Sequence, residues 1–281
     1  MILNFIEGII SMNYLLNNQQ IVDFIMNGYM VIKPTFRPGF HETVLSKLDA
    51  LNITRDNNPG NEILTKVPEL QEVWDHPEVK GTFASLLGKD FVMNAHRHCH
   101  LNFPGTRSQV WHQDGFNFRH NTIRKLLGMY YPQAVTKDMG PTALVPGTHF
   151  RNAPSDRMAS YGNFKGQVLA TVDAGSILIL HYDIWHAATA NTSDKNRYML
   201  KFLFDRQSDP IDPSWDYDID TAKQEILRFS SEPALLTSDF RKEWPLRKKM
   251  WNYLIGSSEK KKHPIIYSEE DERWDFLLKK N

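Results

Sequence analysis

From Asn18 to Met26 the apolar positions Ile21, Val22, Ile25 and Met26 recur at helical spacing, with Asn17 or Asn18 as the cap and Gly28 as the stop. Tyr29 to Lys33 then reads as a strand. Pro38 to Leu51 predicts a second amphipathic helix with Phe40, Val44, Leu45 and Leu48 on one side, and the Asn57-Asn58-Pro59-Gly60 cluster closes the loop after it. A third helical stretch covers Pro68 to Leu87. It breaks in two at His76-Pro77, because proline disfavours a helical residue before it.

At Asp90 the pattern changes. Phe91–Phe103, Lys125–Ala134, Thr142–Val145, Gln167–Val172, Ser176–His181 and Arg197–Asp205 are short runs of β-formers separated by Gly, Pro, Asn and Asp, a spacing that suits a barrel or sandwich. In the last run Tyr198, Leu200, Phe202 and Phe204 share one face, so Arg197 points to the other. That apolar outer face needs cover, and the helices at both ends of the chain can supply it. Beyond Asp205 come turns at Pro210 and Pro213, then helices near Thr221–Phe229, Asp239–Ile255 and Glu269–Lys279. The pattern predicts one domain over 1–281: a mainly helical flank (1–89), a β core (90–206) and C-terminal helices (207–281).

Composition narrows the function classes. The 281 residues are 41% hydrophobic, enough for a sizeable core, and 33 basic residues balance 33 acidic ones. This balance argues against a general electrostatic role on nucleic acid or acidic membranes. Lys260-Lys261-Lys262 reads as a solvated linker, since the acidic run Glu269 to Glu272 follows closely. One cysteine, Cys99, leaves no intrachain disulfide and fits a reducing cytosol, so a cytoplasmic location is expected. The apolar run within Met1–Met12 lacks the features of a signal peptide, and no stretch has the roughly 20 apolar residues of a membrane helix. Met12 is a second candidate start. Nothing in the sequence fixes the oligomeric state.

The chemistry gathers at Trp111-His112-Gln113-Asp114-Gly115. On an extended segment the imidazole of His112 and the carboxylate of Asp114 leave the same face. They are two parts of a 2-His-1-carboxylate triad, which holds non-haem Fe(II) on one side and leaves the other open for co-substrate and oxygen. A third ligand must come from the other histidines, of which the chain has eleven in all. A dicarboxylate co-substrate such as 2-oxoglutarate would need a cation at its far end, best an arginine. Arg197 lies eleven residues after His186, whereas the same offset from His181 meets Thr192. His186 is therefore the better third ligand, with His181 the neighbouring alternative.

In order and spacing the chain resembles the phytanoyl-CoA dioxygenase (PhyH) family of Fe(II)- and 2-oxoglutarate-dependent oxygenases, over roughly Asn18 to Asp205. The resemblance is carried by Gly28-Tyr29 leading into a strand, by Trp111 to Gly115, by the turn Gly140 to His149, and by Gly175 through His186 and Asn191-Thr192-Ser193 to Arg197. It implies a double-stranded β-helix (a jelly-roll, cupin-like core), mostly β with flanking helices. It implies that His112, Asp114 and His186 bind Fe(II), that Arg197 binds the 2-oxoglutarate C5 carboxylate, and that Thr142 and Gln109 make polar contacts to the co-substrate or pocket. It also implies a reaction that consumes O2, with the aspartate at position 114 favouring oxidation over halogenation. Two departures point away from an acyl-CoA substrate: Asn102-Phe103-Pro104 stands where the phytanoyl-CoA hydroxylase has Asn-Lys-Pro, and Ala188 replaces a hydroxy residue.

Other residues have competing readings. His96, His98 and His100 alternate on one strand and could hold a metal, but no matching carboxylate and arginine follow; a polar lining near the substrate is the favoured role. Cys99 points the other way, into the core. His149 is expected at the surface or packed on its turn. From Arg107 to Lys125 the chain is either a solvated loop or a lid, in which Phe116, Phe118 and Arg119 would meet a carboxylate-bearing substrate and exclude water. Trp244, Trp251 and Trp274 are expected to pack or form an interface. The preferred function is oxidation of a small polar carboxylate-bearing metabolite, such as an amino-acid derivative or other specialised metabolite, with release of succinate and CO2. The alternatives are an acyl-CoA hydroxylase of the phytanoyl type and a non-catalytic cupin-like metal-binding protein.

Overall fold

Helix α1 (Asn18–Asn27) begins at Asn17, whose side chain accepts from the Gln20 N–H while the Gln20 side chain accepts from the Asn17 N–H, each at 2.9 Å. These reciprocal caps fix where the chain turns helical. Gly28 ends the helix at φ 77°, and a Cβ there would stand 2.3 Å from His149 Nδ1, so backbone and packing both require glycine. This computed structural model describes residues 14–54, 57–115, 118–151, 155–230 and 238–257. The run Met1–Met12, Phe116, Lys260–Lys262, Trp274 and the helix predicted over Glu269–Lys279 lie outside the described residues.

After β1 (Tyr29–Ile32), α2 (Phe40–Ala50) buries Phe40, Val44 and Leu48 as its spacing predicts. A 3-10 turn at Gly60–Glu62 and the short α3 (Ile63–Lys66) were not signalled by periodicity, being too brief to show one. The expected break at His76-Pro77 divides α4 (Glu69–Asp75) from α5 (Pro77–Leu87). Then follow β2 (Val92–Asn102), β3 (Lys125–Tyr130), β4 (Thr142–Leu144), α6 (Ser155–Ala159), β5 (Val168–Leu169), β6 (Ile177–His181), β7 (His186–Ala188), β8 (Arg197–Asp205), α7 (Ile219–Glu225) and α8 (Ser238–Leu254).

The strands form two antiparallel sheets, one in the order β1-β6-β3-β8-β2 and one in the order β5-β4-β7. Alternation along β8 separates two layers of packing. Outward-facing Tyr198, Leu200, Phe202 and Phe204 join the helices in one apolar cluster, with Trp74 4.7 Å from Phe202 and Phe83 stacked 4.0 Å from Phe204. Met199 and Leu203 turn inward against Leu127, Met129, Tyr131, Leu178 and Leu180. The helices thus cover the face that the sequence left in need of cover, and the other face is free to build a site.

Some boundaries differ from expectation. The strand expected over Lys125–Ala134 ends at Tyr130, and after Tyr131, which still bonds Gly175 and Ser176, Pro132 has no N–H to give the ladder. Gln167–Val172 shrinks to Val168–Leu169, with Val172 forming a separate bridge to Val135. The helix near Thr221–Phe229 ends at Glu225 and continues as a 3-10 turn. His149 is not at the surface: it is fully buried, with Nε2–H donating to the Ile25 carbonyl at 3.2 Å. Trp244 and Trp251 are buried packing residues, and so is Cys99, whose thiol burial pushes up to about 12. Among the described residues no helix is long and apolar enough to cross a membrane.

Candidate metal centre

An isolated antiparallel bridge builds the centre. The His112 N–H donates to the His186 carbonyl at 3.1 Å and the His186 N–H returns the bond at 2.9 Å, so residues far apart in sequence become direct neighbours. Their rings lie 4.3 Å apart. Each Nδ1 bonds the carbonyl two residues earlier, His112 to Val110 at 2.9 Å and His186 to Ile184 at 3.0 Å. A carbonyl can only accept, so both Nδ1 atoms carry the proton and both Nε2 atoms keep their lone pairs. Asp114 faces them, Oδ1 3.8 Å from His112 Nε2 and Oδ2 3.9 Å from His186 Nε2. These gaps are too long for direct hydrogen bonds, yet two bonds of about 2.1 Å to a shared ion would span them.

The electrostatics favour the ligand forms. Burial pushes His186 down to about 4, against the opposing pull of Asp114, so it is neutral at physiological pH. Burial alone would raise Asp114, but His186 and Lys201, followed by His112, outweigh it and hold the carboxyl below its ordinary range. His181, the alternative third ligand, does not join this trio. It belongs to a second one with His120 and Asp183.

A pocket runs from His112 and His186 to Arg197, lined among others by Gln109, Thr142, Met129 and Met199. Arg197 is wholly buried, and burial lowers the pKa of its guanidinium. Its Nη2 donates to the Gly140 carbonyl at 2.8 Å, while Nε and Nη1 have no partner among the described residues. A buried cation with unspent donors is a docking point for an anion. Thr142 Oγ1 lies 2.9 Å from the Tyr131 hydroxyl, and Gln109 Oε1 accepts from the Ala188 N–H at 3.3 Å. Both therefore sit at the pocket wall with their own bracing.

The other candidates are placed unevenly. His100 lines the same pocket, His98 stands beside it on β2, and His96 is exposed past a register shift between Met93 and Arg97. The His98 ring lies 4.3 Å from that of His96 and 5.6 Å from that of His100. Phe118 packs 5.3 Å from the His120 ring, and Arg119 pairs with Asp239 on α8 at 2.9 Å, so neither lines the pocket. Sequence reasoning missed Lys201, whose Nζ donates to Asp114 Oδ2 at 3.0 Å. Its signal was present: it is a charged residue on the inward face of β8, between Met199 and Leu203.

Paired antiparallel sheets covered by helices, with a 2-His-1-carboxylate cluster inside, describe a class of non-haem iron oxygenase. The phytanoyl-CoA dioxygenase (PhyH) family matches residues 26–199, and the chain belongs to that family of Fe(II)- and 2-oxoglutarate-dependent dioxygenases. Curated relatives include uncharacterized proteins of Mycobacterium tuberculosis and Mycobacterium bovis, each 31% identical over 103 residues; the match covers 37% of this chain and 37% of theirs. Among solved structures, the non-heme alpha ketoglutarate dependent carbocyclase SnoK from nogalamycin biosynthesis superposes with a TM-score of 0.57 at 18% identity, covering 76% of this chain and 92% of its own. Apo HygX from Streptomyces hygroscopicus gives 0.58 at 14% identity, over 69% and 87%. EctD from S. alaskensis, solved with 2-oxoglutarate and 5-hydroxyectoine, gives 0.55 at 16%, over 66% and 75%. At these identities the likeness speaks for the fold.

Proposed function

We propose that this chain is an Fe(II)- and 2-oxoglutarate-dependent oxygenase that oxidises a small polar, carboxylate-bearing metabolite and releases succinate and CO2. The observation that carries the reading is one pocket with two proton-fixed imidazoles at one end, which Asp114 faces at 3.8 and 3.9 Å, and at the other a buried Arg197 with two donors unpartnered among the described residues. Its core would be a double-stranded β-helix, with the described residues acting as one domain. His112, Asp114 and His186 would hold ferrous iron, which when bound supplies the activation of oxygen. Arg197 would take the C5 carboxylate through its free Nε and Nη1, fixing the co-substrate's direction in the pocket. Thr142, held by Tyr131, and Gln109, held against β7, would line its path. Met129, Met199 and Ala188 would add apolar contacts to an otherwise polar pocket wall.

The solved relatives named for nogalamycin biosynthesis support a substrate from specialised metabolism. Asn102-Phe103-Pro104 and Ala188 weigh against an acyl-CoA. The test is succinate formation from 2-oxoglutarate with iron and ascorbate, first alone and then with a panel of amino-acid-derived acids. The wild type should turn over, and His112→Ala and Arg197→Ala should abolish it. Turnover unchanged in both variants overturns the assignment. Metal binding without any turnover would favour the non-catalytic reading.

A further inference from the structure

Lys201 lies four residues beyond Arg197 on the same face of β8, since strand side chains alternate. Across the ladder it stands opposite His98, as Met199 stands opposite His100 and Arg197 opposite Asn102. Its side chain is only 12% exposed, and Asp114 Oδ2 at 3.0 Å is the counter-charge that such burial demands. The same oxygen faces His186 Nε2 at 3.9 Å. The ammonium therefore holds the carboxylate oxygen that the metal would share.

The charges at the site then do not balance. Among the described residues at the site, two cations, Arg197 and Lys201, face one carboxylate, Asp114. One positive charge is in excess before any ion arrives. A divalent ion held by Asp114 Oδ2 at about 2.1 Å could lie no more than about 5 Å from the ammonium, well inside the screening length of about 8 Å at physiological salt. A 2-oxo dicarboxylate brings two negative charges and removes most of that repulsion.

Resting on the function proposed above, we infer that Lys201 is a positioning residue that makes metal and 2-oxoglutarate binding interdependent, disfavouring the bare ion and favouring the ion accompanied by the dianion. Lys201 also aims the Asp114 carboxylate, so the two effects of removing it must be told apart. Loss of aim would weaken metal binding whether or not co-substrate is present. Loss of charge would strengthen binding of the bare ion and shrink the gain from co-substrate.

The experiment measures Mn(II) affinity by electron paramagnetic resonance of the free ion, with and without saturating 2-oxoglutarate, in wild type, Lys201→Met, Lys201→Gln and Lys201→Arg. Circular dichroism verifies folding of each. In the wild type, 2-oxoglutarate should tighten Mn(II) binding by about tenfold or more, within the usual range of coupling between sites. Lys201→Met and Lys201→Gln should bind Mn(II) alone more tightly than wild type and show a smaller coupling, and Lys201→Arg should restore it. Neutral variants that bind the bare ion no better, with coupling undiminished, overturn the role of Lys201 and leave the oxygenase reading standing. A wild type that binds neither Mn(II) nor 2-oxoglutarate overturns both.

Discussion

Two trios of the same composition, two histidines and an aspartate, lie in this molecule, and they are wired in opposite ways. In His112, Asp114 and His186 the imidazole protons are spent on backbone carbonyls, and the Nε2 atoms face a carboxylate they do not touch, at 3.8 and 3.9 Å. In His120, His181 and Asp183 every ring nitrogen is committed. His120 Nδ1 accepts from the Thr122 N–H at 3.3 Å and its Nε2–H donates to Asp183 Oδ2 at 2.9 Å. His181 Nε2–H donates to the Thr122 carbonyl at 3.1 Å, and Nδ1 accepts from the Asp183 N–H at 3.2 Å. The first trio is open and partly exposed; the second is closed and fully buried. Ligand chemistry is thus decided by where the second nitrogen of each ring is anchored, not by which residues are clustered.

The two are also mechanically joined. Gly115, next to Asp114, packs so closely on Asp183 that a Cβ would meet its Oδ1 at 1.9 Å. The closed trio packs as a strut behind the loop that carries His112 and Asp114.

Breaking the open trio should give the largest effect. His112→Ala removes a proposed ligand whose side chain is 22% exposed, so stability should change by less than about 1 kcal/mol. Mn(II) affinity should fall by more than the roughly 10–100-fold that loss of an outer partner costs. Breaking the strut should reverse that pattern. Asp183→Ala leaves the His120 Nε2–H buried without an acceptor and should cost about 3 kcal/mol in chemical denaturation, while the folded fraction still binds Mn(II). Equal losses of metal affinity in the two variants would erase the distinction between ligand set and strut.

Acid should find the strut next. Burial depresses His181 from its ordinary 6.5 to about 4, and His149, whose ring lies 4.9 Å away, is lowered for the same first reason. Between those pH values the unfolded chain binds a proton that folded His181 refuses, so stability rises with pH across that window. The stability contributed is fully present above about 6.5 and is lost as pH falls to about 4, roughly 3 kcal/mol for this one group. Denaturation midpoints should decline over that range, and His181→Gln should make the decline shallower without abolishing it, since burial pushes His186 down to the same value. A wild-type midpoint independent of pH from 7 to 4 would remove the argument.

Much of this was legible in the chain because it depends on local pattern. The period-two alternation of β8 separated Tyr198, Leu200, Phe202 and Phe204 from Arg197, and the helices do cover that face. The HxD spacing and the His186-to-Arg197 offset pointed to residues that the fold brings together, His112, His186 and Arg197 on one pocket and Asp114 facing the two imidazoles. What stayed hidden depends on contacts between distant segments. Strand β7 is three residues long and exists only because β4 lies beside it, so no periodicity announced it. The closed trio draws Asp183 and His120 together from 63 residues apart. Lys201 was discernible as a lysine on an inward face, but its partner could not be read from alternation alone.

The smallest effect is expected at Arg119, which sequence reasoning placed in either a solvated loop or a substrate-facing lid. In the fold its guanidinium turns to α8, where Nη2 lies 2.9 Å from Asp239 and 3.8 Å from Glu243. Asp239 is 67% exposed, so this pair is screened and contributes on the order of 0.5 kcal/mol. Glu243 is buried, and burial raises its pKa, but it keeps Arg151 at 3.3 Å when Arg119 is removed. Arg119→Gln should therefore shift the denaturation midpoint only slightly and leave Mn(II) and 2-oxoglutarate affinities unchanged. Once a carboxylate substrate is in hand, its KM should also be unaffected. A rise of more than about tenfold, the loss of roughly 1.4 kcal/mol of binding, would mean that Arg119 leaves Asp239 to meet the substrate, and the lid would then belong to the open trio's chemistry.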